Sequence, residues 1–321
     1  MTGGIRVAIV GCGRMGAERA ACATQAGATI ACCADTDGER ARSLAARFQS
    51  HAVADMRAIP WREVQAVFVC TPPSMRSVVL DAITARVAVL VEKPIGLSEA
   101  DGAALASAVE EQHVVNAVGY MNRYRPSVLA ARAAAAASTV SAVAGHWASK
   151  RYAVPWWGQP DLSGGPFNEQ ATHLVDLVRF VVGEIADVRA FAGPSGDEKS
   201  ITRAAVAMRF DNGAVGTLAY TCEADDKHIG LHVMTGAGAI ELRGWNFTRA
   251  GADEATDPNP FLLETKTFLE AVSSGDARQI RSDFADATKT QRAVDLIRRR
   301  FADGMQEPRG SSALYDDVSA R

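Results

Sequence analysis

Aromatic residues make up only 7% of the 321 residues, and no run of eighteen apolar residues is left uninterrupted, so a membrane-spanning helix is not among the structures this sequence offers. An excess of either charge is missing too. The 34 Lys and Arg against 37 Asp and Glu leave a net charge of −3, which gives no broad basic field for nucleic acid or an anionic membrane surface. The expected partner is therefore a small molecule. The six cysteines, Cys12, Cys22, Cys32, Cys33, Cys70 and Cys222, have no CxxC spacing and fall mostly in expected strands or beside a turn, which argues against a disulfide framework and against a zinc site. No metal is expected. The start MTGGIRVAIVG enters a glycine-rich turn and not a cleavage site, so a cytoplasmic location is expected.

What is present is concentrated near the start. Residues 5–35 read IRVAIVGCGRMGAERAACATQAGATIACCAD: an apolar strand, then Gly11, Gly13 and Gly16, a helix, and a second strand ending in Asp35. This is the order of a dinucleotide-binding βαβ unit. Gly11 permits the tight turn, Gly13 lets the backbone approach a pyrophosphate at the helix N-terminus, and Gly16 allows close packing of helix on sheet. Asp35 is placed to accept from the adenosine ribose and to repel a 2′-phosphate. NAD is the expected cofactor, with Arg40 and Arg42 close enough in sequence to leave NADP open.

Further along, a polar helix is expected over 38–48, a short strand near 52, and a buried parallel strand over 66–70 that stops at Thr71-Pro72-Pro73. A helix over 75–85 leads to a strand over 87–91 ending in Glu92-Lys93-Pro94, and Ser98 with Asp101 has the form of a capping box before another helix. With a strand over 114–119, the alternation predicts a doubly wound parallel sheet over residues 1–122. Beyond it the pattern changes to an alanine-rich helix (128–137), an extended segment (139–150), a loop with Trp156 and Trp157, and a helix whose first residue is Pro166. Strands over 187–192, 204–210, 214–221, 229–235 and 239–242 follow, with Asn212-Gly213 as a hairpin signal. Helices over 261–274 and 283–301 close an α+β domain, 123–302, built on a largely antiparallel open sheet. A loosely ordered tail is expected over 303–321.

Few residues carry the chemistry. Lys93, between an acid and a proline at a strand end, is held near the expected cleft, where it could stabilise a substrate oxygen, or it could simply pair with Glu92. Glu169 and His173 share a helix face by their spacing, with Glu169 in the first turn, where the dipole favours a carboxylate and a neutral imidazole. The bland alternative is a surface ion pair. Trp156 and Trp157 are candidates to stack on a sugar ring or to fill the core. Arg123, Tyr124, Arg151 and Tyr152 are candidates for the same cleft. His228 and His232 share a strand face but lack a third ligand and are taken as structural.

The landmarks GCGRMG, Asp35, CTPP (70–73), VEKP (91–94), GYMNRYRP (119–126) and GGPFNEQATHLVDLVRF (164–180) together resemble the glucose-fructose oxidoreductase / inositol dehydrogenase / rhizopine catabolism (Gfo/Idh/MocA) family over about 5–302. The resemblance implies a Rossmann domain followed by an open-sheet domain that often packs on another subunit, giving a homodimer or homotetramer. It also implies chemistry on secondary alcohols of sugars and cyclitols, amino and nucleotide sugars included. By it, Lys93 is the lysine of the family's Glu-Lys-Pro motif and His173 the acid/base, with Glu169 beside it. Cofactor contacts are then expected from Gly11, Gly13, Arg14, Met15, Gly16, Asp35, Thr71, Pro72, Arg76, Glu92 and Lys93. Substrate contacts are expected from Lys93, Asn122, Arg123, Tyr152, Trp156, Trp157, Glu169 and His173. Two departures stand out: Glu169 replaces the more usual aspartate, and Arg76 replaces a frequent histidine. A glycoside-cleaving enzyme that returns its hydride and a non-catalytic cofactor-binding regulator are the family's other options.

Overall fold

The computed structural model describes residues 4–193, 200–249 and 258–306, the side chains of 249 and 302–306 excepted. The expected α/β architecture is present. The first sheet is built from β1 (Arg6–Val10), β2 (Thr29–Ala34), β3 (His51–Val53), β4 (Ala66–Val69), β5 (Ala88–Val91) and β6 (Asn116–Val118), in the order β3-β2-β1-β4-β5-β6 and parallel throughout. Its central strands are apolar on both faces because helices cover both. Val7, Ile9, Cys33, Phe68 and Leu90 face α1 (Arg14–Gln25) and α2 (Gly38–Arg47). Val10, Val67, Val69, Val89 and Val91 face α3 (Ser77–Thr84) and α4 (Glu99–Gln112), the latter opened by the Ser98/Asp101 capping box. The strand order reverses between β1 and β4, which opens a crevice at their carboxyl ends.

The second sheet follows α5 (Pro126–Ala136). It comprises β7 (Val140–Ala148), β8 (Ile185–Ala192), β9 (Arg203–Phe210), β10 (Val215–Thr221), β11 (His228–Thr235), β12 (Gly238–Arg243) and β13 (Thr248–Arg249), ordered β13-β12-β11-β7-β10-β9-β8. Only β7 with β10 is parallel. The Asp211-Asn212-Gly213 turn joins β9 to β10, and Gly213 takes the positive φ, +88°, that this tight turn requires. The sequence does not announce β13, nor the short α6 (Pro160–Ser163) inside the aromatic loop. One face of this sheet packs on α5, α7 (Thr172–Val181) and α9 (Phe284–Gln306) around Trp147, Leu174, Val178, Leu218 and Ile297. Each such fully buried aliphatic side chain contributes roughly 1.5–3 kcal/mol.

The last two helices do not stay with the second sheet. α8 (Pro260–Ser274) lies on α1, with Phe268 edge-on to Phe68 at 5.6 Å, and α9 begins on the first sheet through Phe284 and Ala287 before ending on the second through Val294, Ile297 and Phe301. Chain order alone had put both in the 123–302 domain. The period of an amphipathic helix shows which side is apolar, not which sheet it will cover. α9 runs to Gln306, past the point where the tail was expected, and 307–321 lie outside the described residues. Among the described residues no helix is long and apolar enough to cross a membrane.

Candidate active site

The turn after β1 is shaped by what a side chain would meet. Gly11 has φ +87°, and a Cβ there would lie 2.8 Å from the Cys70 carbonyl; a Cβ on Gly16 would lie 2.0 Å from the Gly11 oxygen. At Gly13 a Cβ would meet nothing within 4 Å. That open space lies at the N-terminus of α1, which has no side-chain cap, so its N–H groups are available to an anion. Arg14 is exposed beside it and Met15 half-buried. Asp35 is half-buried, accepting from the Cys12 N–H at 2.7 Å and the Asp37 N–H at 2.9 Å, which fixes the carboxylate at the end of β2. Arg40 pairs with Asp37 at 3.2 Å and Arg42 with Glu39 at 2.8 Å, so both cations that left NADP open are engaged by neighbouring acids. The residues present therefore suit a dinucleotide with a free 2′-hydroxyl.

The opposite wall comes from the ends of β4 and β5. Thr71 and Pro72 are half-buried there, at the carboxyl edge as expected. Arg76 is not aimed into the crevice. Its guanidinium donates to the carbonyls of Ile95 (3.2 Å), Thr71 (2.9 Å), Glu92 (2.8 Å) and Pro94 (2.7 Å), and to the Thr71 hydroxyl (3.4 Å). It is a strut between the two loops, and what it gives a cofactor is their spacing. Glu92, expected to touch the cofactor, is 6% exposed and turned beneath the site, 2.6 Å from Arg19 of α1. Arg19 is wholly buried and also meets Glu264 of α8 at 2.6 Å. This buried triad ties the dinucleotide helix to the strand end that carries Lys93, and nothing in the spacing of the three residues reveals it.

Between the two domains Lys93 and Glu169 meet. The ammonium donates to the Glu169 Oε2 and to the Glu169 carbonyl, both at 2.9 Å. Burial alone would lower the lysine, but the Glu169 carboxylate beside it reverses this and holds it above its usual value. Glu169 lies in a π turn, Phe167–Ala171, which inserts extra backbone ahead of α7 where an unbroken helix from Pro166 was expected. Such turns re-aim side chains within a helix. His173, in the first turn of α7, is 5% exposed and stacks on Trp147, with ring centroids 5.5 Å apart and planes 7° from parallel. Burial, then the charges of Lys93 and Arg125, push it well below the usual histidine value, so it is neutral. Its Nδ1 and the Glu169 Oε1 are buried without a hydrogen-bond partner among the described residues. Tyr152 lies in the field of Lys93 and Glu169, its hydroxyl raised chiefly by burial.

The remaining expected substrate contacts divide. Arg123 is turned away: it is bidentate on Asp176 at 2.9 and 2.6 Å and reaches Asp286 and the Arg281 carbonyl, each at 2.5 Å. It ties the 3-10 turn at 121–124 to α7 and α9 and has little left for a ligand. Arg125, two residues on, is the arginine whose charge reaches His173, and the sequence reading passed over it. Asn122 is buried and accepts from Arg125 Nε at 2.9 Å, leaving its Nδ2 without a partner among the described residues. Trp157 is 2% exposed, packed in the core at 5.2 Å from the Tyr152 ring, so its face is not offered to a sugar; Trp156 is half-buried. His228 and His232 are exposed on β11, and no cluster of metal-ligating side chains occurs among the described residues.

Comparison with known proteins bears on this arrangement. Residues 5–120 match the family described as "Oxidoreductase family, NAD-binding Rossmann fold", and residues 129–241 match the "GFO/IDH/MocA C-terminal domain". An uncharacterized protein of Schizosaccharomyces pombe is 28% identical over 250 residues, 64% of this chain and 60% of that protein. An inositol 2-dehydrogenase of Acidothermus cellulolyticus is 30% identical over 203 residues, 59% of this chain and 57% of that enzyme. The chain thus spans about three fifths of the length of the curated relatives it matches. Among solved structures, the WlbA dehydrogenase from Bordetella pertussis in complex with NADH and UDP-GlcNAcA superposes with a TM-score of 0.84 at 21% identity, covering 94% of this chain and 97% of that one. At that identity the likeness concerns the fold.

Proposed function

The chain belongs to the Gfo/Idh/MocA oxidoreductase family, with its NAD-binding Rossmann fold, and on that premise we propose that it transfers hydride between the nicotinamide of NAD and a secondary alcohol or ketone of a sugar or cyclitol. The observation that carries this reading is the meeting of Lys93 from the nucleotide domain with Glu169 and the neutral His173 from the other, where two buried polar atoms lack partners among the described residues. Hydroxyl groups on a ring are the chemistry that would satisfy them.

The cofactor supplies the hydride acceptor when bound, held by the α1 N-terminus, Asp35 and the Thr71-Pro72 turn. Lys93, kept protonated by Glu169, stabilises charge developing on the substrate oxygen. His173, neutral at the start, takes the hydroxyl proton. Glu169 binds a neighbouring hydroxyl through Oε1 while fixing Lys93 through Oε2. Run in reverse, the same groups reduce a keto sugar. Named relatives include enzymes of inositol and UDP-N-acetylglucosamine oxidation, which makes free cyclitols and nucleotide sugars the first substrates to try. The open face of the second sheet is proposed to pair with another copy, giving a dimer or tetramer.

The test follows reduced-nicotinamide absorbance across pyranoses, inositols, amino sugars and nucleotide sugars, with NAD and with NADP, while checking for cleaved glycosides. Net reduction of NAD is expected. Cleavage without it would favour a hydride-returning glycoside-cleaving enzyme, and binding without either a regulator. Lys93→Met and His173→Ala should each lower turnover by ~100-fold or more. Full activity in either variant would remove that residue from the mechanism.

A further inference from the structure

The π turn carries Glu169 between two amides, Asn168 and Gln170, and the chemistry above uses neither. Both side chains are wholly buried. Asn168 donates through Nδ2 to the Ser163 carbonyl at 2.8 Å and accepts through Oδ1 from Gln291 of α9 at 3.0 Å. Gly164, at φ +77°, leaves it room, since a Cβ there would lie 2.5 Å from that Nδ2. Gln170 is turned to the sheet instead. Its Nε2 donates to the Lys150 carbonyl at 3.0 Å, and its Oε1 accepts from the Ser149 hydroxyl at 3.2 Å and the Tyr220 hydroxyl at 3.1 Å. Tyr220 of β10 stands beside Trp147 of β7 in the ladder, and the Trp147 indole N–H donates to the same Ser149 hydroxyl at 3.0 Å. One amide thus reaches in two directions. Through its backbone it holds the turn that aims Glu169, and through Ser149 it holds the indole on which His173 lies, 7° from parallel. Trp245, edge-on at 5.8 Å, supports the same indole.

We propose that Gln170 is a positioning residue for both groups that the second domain gives the site, Glu169 and His173. The inference rests on the hydride-transfer reading above. Every link is a buried polar group with its partner supplied, and a hydroxyl deprived of its acceptor would bear the cost of desolvation, so the network favours one geometry. The two ends of the amide have separate tasks, because two hydroxyls need an acceptor and the Lys150 carbonyl needs a donor. Lys93 registers the result twice, donating to the Glu169 carbonyl and to its Oε2. The two arms have different consequences. The charges that reach Lys93 are Glu169, Tyr152 and Glu92, with the neutral His173 across from it, and of these only Glu169 lies in the π turn. Moving Glu169 away lets Lys93 fall, which draws the alkaline limb of kcat/KM to lower pH. Releasing the indole moves the imidazole and leaves Lys93 as it was.

The full chain, isotopically labelled at the histidine Cε1, provides the test by nuclear magnetic resonance. The His173 resonance is identified by its absence from His173→Ala, and the parallel indole should set it upfield of the other five histidines, all of which are exposed. Gln170→Met keeps the length of the side chain and removes the amide. It should bring the resonance towards the others, lower kcat about tenfold or more, leave the KM for NAD within about twofold, and move the alkaline limb to lower pH. Ser149→Ala should move the resonance alone. Ile297→Ala, in the same core but outside the network, should lower the melting temperature with neither change. A resonance that stays put in Ser149→Ala, an alkaline limb that stays put in Gln170→Met, or equal changes in Ile297→Ala would overturn the proposal. Should Gln170→Met fail to fold, the resonance in Ser149→Ala decides. Full activity in His173→Ala would instead remove the hydride-transfer reading, on which the position of the resonance does not depend.

Discussion

An imidazole between two cations serves as a base only if it begins neutral, and the surroundings of His173 secure that. Burial, Lys93 and Arg125 all disfavour its protonation. The sign follows directly: with the value lowered, the charged and inactive form appears only as pH falls well below the usual histidine range. In the oxidation direction kcat/KM should therefore show no inflection near pH 6.5, where an ordinary histidine would titrate. Arg125→Met removes one of the opposing charges and should bring an acid limb up towards that range; a profile unchanged from wild type would show that Arg125 does not act on His173. The proposed lysine and histidine stand out in the sequence because they lie in motifs. Arg125 does not, since the stretch NRYRP offers two arginines and only the pairing of Arg123 with Asp176, 53 positions away, decides which one turns to the site. Arg76 was misplaced for a related reason: a sequence shows that an arginine follows a turn, but not that backbone carbonyls from two loops will use all its donors.

Elements set the next level of legibility. Strands and helices of the first domain were readable because turn residues punctuate them and apolar runs fill them, as with Ala66–Val69 ahead of Thr71-Pro72-Pro73. The π turn was hidden. Residues 163–179 are buried without interruption, so no polar stripe marks the helical period and an inserted residue leaves no trace in it. The link between α1, the end of β5 and α8 was equally hidden, being made by Arg19, Glu92 and Glu264 across more than two hundred residues. It has a measurable signature. Burial pushes the Glu264 carboxyl up to about 7, Arg19 only partly offsetting this. Between the ordinary glutamate value and that point the native state holds a proton the unfolded chain has lost. This contribution to stability is full at low pH and disappears as pH rises to about 7, a change on the order of a few kcal/mol. Glu264→Gln should flatten that decline: the difference in unfolding free energy between pH 5 and pH 7.5, from urea titrations, should shrink relative to the parent. Equal differences in the two proteins would mean that Glu264 is ionised throughout.

For the whole molecule, the sheet that carries α7 on one side has no helix packed on the other among the described residues. A solvated antiparallel face ordinarily alternates in polar residues. Here the outward positions of the central strands include Ala142, Ala144 and His146 on β7, Ala205 and Ala207 on β9, and Thr217 and Ala219 on β10. Phe191 and Val215 are 72% and 52% exposed on the same face, with Arg189, Arg203 and Arg209 also outward. A largely apolar surface bearing scattered charge is the form of an interface between like copies, and it suits the proposed self-association. Ala207 sits between Thr217 of β10 and Arg189 of β8, well inside the strand, where its substitution would not disturb the buried side. Ala207→Arg adds a cation directly opposite Arg189 at the centre of the proposed contact, and several kcal/mol of desolvation would oppose association. Sedimentation should then find wild-type protein as a dimer or larger at micromolar concentration and the variant as a folded monomer with an unchanged far-ultraviolet spectrum. Wild-type protein that sediments as a monomer, or a variant that assembles like its parent, would place the contact elsewhere or remove it.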